Sequence, residues 1–536
     1  MSHSNMVLDH DAKKNSIPRY LIISVLTILA IGPQYFLNLS YTVNQMIIQN
    51  GLNLSTHQMV IPSTLSNLAF ALGVPIGRVF SKKYGLRRIY LTFIFIFLAG
   101  TIMDIFSVGL VTLTIGRTIQ GLSAGILFLT ILPVKLMSFP NYVRHWFLFF
   151  VISGLFGASA VGAFFGALSL NADAWRWIFV LNILSSIVCL VVGAASLPKP
   201  EAGEKEYYHI DKTGVFMLTL LIAVLAFPLI NLQGKGFSSF YVWPFLLVAF
   251  FLLVFFVTID WQVENPLVPF RALRSPKSVS GTIMAISAHL ALIVALAGIN
   301  GFIRNNIDLS FSFLTLFYVW FFVGILITAL LSTFLYDKWG AGMLGIIGSL
   351  LVIYIGYEWR IIEPQASIHT LFFQVACLGS GVSMVLVSGA LGTALAGDLH
   401  EASMRSVSLH FFRNFIGALI APVLGWYAYG KNAVHYENIR GQVGDLDPEV
   451  NSELAQLVRH FVHSGLSVSD AKSMAAYSLV ANAKKAAILG AYHDLFTIFA
   501  FLGVIMLIAS IGKAVTGKGR SLVKKEKRLL LPLPRE

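Results

Sequence analysis

Charge is scarce in this 536-residue chain: Asp, Glu, Lys and Arg make up 12% of it, where soluble domains carry about 25%. Cysteine is scarcer still. Cys189 and Cys377 are the two present, each inside a long apolar run. They read as small core hydrophobes and exclude a disulfide framework or thiolate metal site. The sequence holds no phosphate-cradling G-x-x-x-x-G-K-[ST] loop, no His/Cys metal-ligand spacing and no nucleophile elbow. Nucleotide hydrolysis is therefore excluded as an energy source. A membrane enzyme is disfavoured because no compact His/Asp or metal constellation appears. No repeated pore-lining segment suggests a channel.

What the chain has in abundance is apolar length. Hydrophobic residues reach 57%, with 42 Phe and a mean hydropathy of +0.77. They fall in blocks of about 20, the length that crosses a ~30 Å hydrocarbon core. A β-barrel would show short alternating segments instead. The reading is an all-α integral membrane protein with about 14 spans, set by the apolar-run rule. They are expected near 20–47, 57–80, 87–108, 110–134, 146–169, 177–197, 213–232, 241–260, 279–302, 311–335, 340–358, 368–395, 406–429 and 489–512.

The net charge of +13 is distributed as a membrane protein distributes it. Lys13, Lys14, Arg19, Lys82, Lys83, Arg87, Arg88, Lys135, Arg144, Lys199, Lys205, Lys212, Arg271, Arg274 and Lys277 fall on one side. The short loops opposite offer little beyond Arg176, Lys235, Arg304 and Arg360. This asymmetry predicts cytoplasmic termini and speaks against nucleic acid as the basic partner. The tail GKGRSLVKKEKR is expected to meet anionic lipid headgroups. The polar start MSHSNMVLDHDAKKNSIPR makes the first span an uncleaved anchor.

Composition divides the chain into a tail (1–19), a six-span bundle (20–197), a polar linker with two additional spans (198–278), a second six-span bundle (279–512) and a basic tail (513–536). The long extracytoplasmic excursion 430–488 interrupts the second bundle. Within it Leu454, Leu457, Val458, Phe461 and Val462 recur at helical spacing and predict a short amphipathic helix.

Several stretches carry a family resemblance. GRVFSKKYGLRRIY, from Gly77, is similar to the loop pattern G-x-x-x-D-R-x-G-R-[KR] of the major facilitator superfamily. Gly85, Arg87 and Arg88 match, Lys83 fills the basic slot, and Lys82 stands where the acid usually is. Arg117, Gln120 and Gly121 match its fourth-helix pattern R-x-x-Q-G. WRWIFVLN at 175–182, Pro266–Leu267 and DLHEASMRS at 398–406 resemble the 14-helix EmrB/QacA-type drug:proton antiporters. The resemblance implies two six-helix bundles around a central cavity, with alternating access by rocking. Two departures stand out. The fifth-helix stretch GASAVGAFFG keeps Gly157, Gly162 and Gly166 but lacks the Gly-Pro step, and the first span reads FLNLSYTVN with no acid.

Ionisable residues within spans are expensive and functional by default. Arg117 and Arg413 are the deep cations, the latter beside His410. Asp104 and Asp494 lie near outer span ends and are the candidates for proton coupling. Asp104 is expected to face Arg117 only partly. Arg117 has two readings: a structural arginine bonded to Gln34, Asn38 and Ser40, or, with Arg413, a wall of the substrate cavity. His289, His410 and His493 are weaker proton-handling candidates. The glycine pairs Gly73/Gly77, Gly121/Gly125 and Gly162/Gly166 predict close helix packing.

The functional expectation is a secondary active transporter that exports drugs or other amphiphilic small molecules, with the proton-motive force as its candidate energy source. No cofactor or metal is expected. Organic-anion uptake, or a non-transporting scaffold or sensor of the same fold, are the alternatives. The expected setting is the bacterial cytoplasmic membrane, as a monomer. In a Gram-negative host a periplasmic adaptor and outer-membrane channel would be its partners.

Overall fold

An unpaired peptide group in hydrocarbon costs several kcal/mol, so each apolar block closes its own hydrogen bonds as a helix. The computed structural model describes residues 17–171, 174–198, 210–307, 311–398, 401–442 and 448–523, and among these the regular structure is entirely helical. The expected N-terminal tail to residue 16, linker residues 199–209 and the tail from 524 lie outside the described residues.

The first half comprises α1 (Arg19–Val43), the short α2 (Gln45–Gly51), α3 (Val60–Tyr84), α4 (Leu86–Ile105), α5 (Leu110–Ser138), α6 (Trp146–Val151), α7 (Gly157–Asn171) and α8 (Trp177–Ser196). The π-helical turn Ile152–Phe156 joins α6 to α7. Next come α9 (Lys212–Lys235) and α10 (Trp243–Gln262). The second half holds α11 (Pro276–Phe302), α12 (Phe311–Arg360), α13 (Ile368–Ala394), α14 (Ala402–Gln442), α15 (Pro448–His463) and α16 (Val468–Val515).

Among the described residues, 13 helical stretches are long and apolar enough to span a membrane. One of them, α12, is double. Gly340 breaks its helical geometry at φ 80°, a region where only glycine is unstrained. The break falls where the sequence separates its tenth and eleventh spans.

The halves meet where α7 packs on α12 and α14 packs on α3. Helix α9 rests against both α3 and α14, so it lies along that second contact, and α10 packs outside it on α9. Phe250, Phe251, Val254 and Phe255 of α10 are exposed, which suits a lipid-facing surface rather than a core. The described residues of the excursion 430–488 are largely helical, as its amphipathic repeat predicts. Helix α14 continues to Gln442, α16 begins at Val468, and the amphipathic α15 packs against α16.

Glycine sets the closest approach, between α3 and α5. A Cβ on Gly77 would lie 2.0 Å from the Ile126 carbonyl oxygen, and one on Gly121 only 2.1 Å from that of Ser66. Gly125 meets Phe70 O at 2.2 Å in the same sense, and Gly162 of α7 meets Phe36 O of α1 at 2.3 Å. The paired glycines thus serve as bare backbone against bare backbone.

Two buried lysines show opposite ways of holding a cation in the fold. Lys513 Nζ, near the end of α16, donates to Gly392 O at 2.7 Å and Lys277 O at 2.9 Å, tying the ends of α13 and α11 together. Lys135, expected at the cytoplasmic surface, is fully buried instead. Among the described residues its Nζ has no hydrogen-bond partner, and it lies 5.9 Å from each of the Phe147 and Phe150 rings. Stranding a buried acceptor costs about 1–3 kcal/mol. Lys513→Met should therefore lower the thermal midpoint in detergent, while Lys135→Met should leave it level or raise it. Equal losses in the two variants would contradict this account.

Candidate functional site

The site begins on α5, where Arg117 lies seven residues into the helix, about 10 Å from its start. Its side chain is fully buried. One terminal nitrogen donates to Gln120 Oε1 at 3.1 Å and the other to Asn38 Oδ1 of α1 at 3.0 Å. The guanidinium also lies over the Tyr41 ring, 5.5 Å from its centroid. The i, i+3 spacing of Arg117 and Gln120 puts both on one helix face, which is how the R-x-x-Q pattern becomes a paired donor and acceptor.

The network extends through three neighbouring helices. Gln34 donates to Ser66 Oγ of α3 at 3.1 Å and to Asn38 Oδ1 at 3.4 Å. Asn38 donates to Asn67 Oδ1 at 3.1 Å, and Gln120 to Thr101 Oγ1 of α4 at 2.9 Å. Gln34, Asn38, Arg117 and Gln120 therefore form one connected group. Ser40, an expected partner of Arg117, bonds to Leu37 O of its own helix instead. Ser66, Asn67 and Thr101 were not singled out by the sequence, although Ser63, Thr64, Ser66 and Asn67 form a visible polar cluster in an apolar span.

Asp104 stands closer to this group than the sequence suggests. It is fully buried, and among the described residues neither carboxyl oxygen has a hydrogen-bond partner. Its side chain occupies the space a Cβ on Gly116 would need, with Oδ1 2.2 Å from that position. The missing side chain at Gly116 thus admits the carboxyl to the α5 backbone, one residue before Arg117. Arg117 and Asp104 lie within electrostatic reach of each other, and among the described residues they form no direct ion pair.

Asp494, the other acidic candidate, is placed differently. It lies on α16 beside the extension of α14, where His435 Nε2 approaches Oδ2 at 3.0 Å and Lys431 Nζ at 3.4 Å. This carboxyl is part of a half-exposed charge cluster. His493 meets Ile362 O at 2.8 Å.

Across the seam, α14 supplies Arg413 and His410, both buried. Arg413 donates to Tyr35 Oη of α1 at 3.1 Å, and its guanidinium lies 5.6 Å from the Phe128 ring of α5. The His410 ring is 4.8 Å from the same phenylalanine. These contacts join the second half to the helices that carry the Arg117 network, with Tyr35 next in sequence to Gln34. Tyr35 and Phe128 were missed because an aromatic residue among 42 Phe carries no positional signal.

The loop motif stays local where its contacts are visible. Arg87 donates to Ala194 O of α8 in the same half at 2.6 Å, Lys83 lies 5.4 Å from the Tyr84 ring, and Arg88 is exposed. Gly85 turns the chain between α3 and α4 at φ 86°, and Gly77 is a packing residue of α3. In the fifth-helix motif, Gly157 faces the Phe322 ring of α12 at 2.7 Å from a built Cβ, whereas Gly162 and Gly166 pack on α1. Asn44, just after α1, donates to Gly166 O at 2.9 Å. Among the described residues, no cluster of His, Cys, Asp or Glu could hold a metal ion.

A family model described as Major Facilitator Superfamily matches residues 23–422. The MFS-type transporter YubD of Bacillus subtilis is 28% identical over 507 residues, spanning 94% of this chain and 90% of its own length. A second MFS-type transporter of that organism, YhcA, is 22% identical over 534 residues, or 98% of each chain. The quinolone resistance protein NorB of Staphylococcus aureus is 29% identical over 208 residues, 38% of this chain and 43% of NorB.

Proposed function

This chain belongs to the Major Facilitator Superfamily, and from that premise we propose that it exports amphiphilic small molecules by alternating access, driven by the proton gradient. It is a multi-pass membrane transporter and not an enzyme. The observation that carries the proposal is the buried polar network of Gln34, Asn38, Arg117 and Gln120, on α1 and α5, the helices whose Tyr35 and Phe128 also meet Arg413 and His410 of the second half. Polar groups at such depth mark substrate or ion pathways, and the seam between repeats is where two-bundle transporters bind. Similarity to a quinolone resistance protein over part of the chain supports export of drug-like amphiphiles. The stretches WRWIFVLN and DLHEASMRS support a place among the 14-helix drug:proton antiporters, and the bacterial cell membrane as the site of action.

For the coupling group we assign Asp104. A carboxyl with both oxygens free of hydrogen bonds takes or gives up a proton without breaking an existing bond. Arg117 lies within electrostatic reach, so a change of charge at one is felt at the other and, through Asn38, on α1. Asp494 is already engaged by Lys431 and His435. Substrate added to unbuffered, purified protein should release protons from wild type and from Asp494→Asn, but not from Asp104→Asn. Undiminished release by Asp104→Asn would refute the assignment.

A further inference from the structure

The two deep arginines differ in one respect that bears on what is carried. Arg117 has a carboxyl nearby in Asp104. Arg413 has none: among the described residues it enters no ion pair, and its side-chain partners are the Tyr35 hydroxyl and Asn414 Oδ1 at 3.4 Å. Its Nε is buried without a partner, as is Nδ1 of His410 one helical turn away. His289 of α11 packs against α14 at Gly417, with Nε2 2.6 Å from where a Cβ would sit. Arg413 thus lies about one turn from His410 and from the His289 contact on α14, and among the described residues neither histidine enters an ion pair.

The first half presents an apolar, aromatic surface to Arg413 and the two histidines. Phe128 touches both Arg413 and His410. Phe70 packs edge-on to Phe128 at 5.9 Å and to Tyr35 at 6.3 Å. A buried cation without a counter-charge is costly, and a ligand carboxylate would supply that charge together with acceptors for the free guanidinium donors. An amine in the same place would add a second like charge. The aromatic wall beside it suits the hydrophobic body of the same ligand.

We propose that Arg413 is the recognition point for a carboxylate on the transported molecule, so that the substrates are acidic amphiphiles. This rests on the reading that the seam carries the substrate, and goes beyond it by fixing the charge of what passes.

The test uses full-length protein in lipid nanodiscs and three fluorescent probes with one body: dansylaminoundecanoic acid, its methyl ester and the corresponding amine. Wild type should bind the acid at least ~10-fold tighter than the amine. Arg413→Gln should bring the acid to the affinity of the ester, and Arg413→Lys should keep part of the preference. The proposal falls if wild type binds the amine as tightly as the acid, if it does not bind the acid, or if the acid preference survives in Arg413→Gln. Should that variant not yield folded protein, the wild-type comparison and Arg413→Lys still decide. Phe128→Ala separates the two levels of the argument. Weaker binding of all three probes, without an acid preference in wild type, would leave the seam reading standing and remove the charge inference. Unchanged binding of all three would remove the seam reading itself.

Discussion

Gly121→Leu should yield almost no monodisperse, folded protein. Even the Cβ of that leucine would lie 2.1 Å from Ser66 O and 2.8 Å from its carbonyl carbon. Both are backbone atoms of α3, so no side chain can rotate away. The two helices would have to separate, and the glycines on either side show how little slack there is. Gly73 faces Leu122 O at 2.5 Å, Gly77 faces Ile126 O at 2.0 Å, and Gly125 faces Phe70 O at 2.2 Å. Overpacking a core by small groups already costs about 1–3 kcal/mol, and here several such contacts would open together. Separation would also reach the site, because Ser66 accepts the hydrogen bond that anchors Gln34. Gly430→Ala is the control: nothing lies within 4 Å of the built Cβ at that position, and it should behave as wild type. Size-exclusion profiles and thermal midpoints check both. A Gly121→Leu protein as stable as wild type would contradict the packing account.

The spans were legible in the sequence because their signal is long and physically simple. An apolar block of membrane length has few alternatives to a helix, and the tenth and eleventh spans could be separated by the charges and glycines around Gly340. In the excursion 430–488 the amphipathic repeat from Leu454 to Val462 is legible and is found as α15, and the alanine-rich stretch after it is helical in α16. What polarity does not reveal is that α14 and α16 run unbroken from the apolar spans into it. The first-half network was partly legible for a similar reason: Arg117, Gln120, Asn38 and Gln34 stand out as polar residues in apolar runs. Ser66 and Asn67 are visible only as part of the polar cluster 63–67, and Thr101 not at all, since small polar side chains are common in spans as backbone-bonded groups. Pairing across elements was the least legible. The approach of Asp104 to Arg117 depends on Gly116, whose bare backbone makes room for the carboxyl. Lys135 was misplaced because its charge suits a surface position, and only the fold reveals the surrounding Phe147 and Phe150 rings.

Arg117→Gln should abolish gradient-driven transport while leaving the protein folded. The shorter glutamine leaves the Asn38 and Gln120 oxygens short of a donor, so the thermal midpoint should fall as well, and transport is read on protein that remains monodisperse. What is lost is the bridge. Arg117 is the residue that holds Gln120 on its own helix and Asn38 on α1 at once, and it lies within electrostatic reach of Asp104. A lysine, with a single nitrogen centre, does not reproduce that two-armed geometry, so Arg117→Lys should recover little. The expected fall in rate is roughly 100-fold, equivalent to about 2.7 kcal/mol.

The most direct test is accumulation of dansylaminoundecanoic acid in inside-out vesicles that contain the protein, with an imposed proton gradient and after its collapse. Wild type should accumulate the probe when the gradient is present and stop when it is collapsed, and Arg117→Gln should match empty vesicles throughout. Accumulation indifferent to the gradient, or undiminished in Arg117→Gln, would contradict a proton-driven transporter organised around this buried seam.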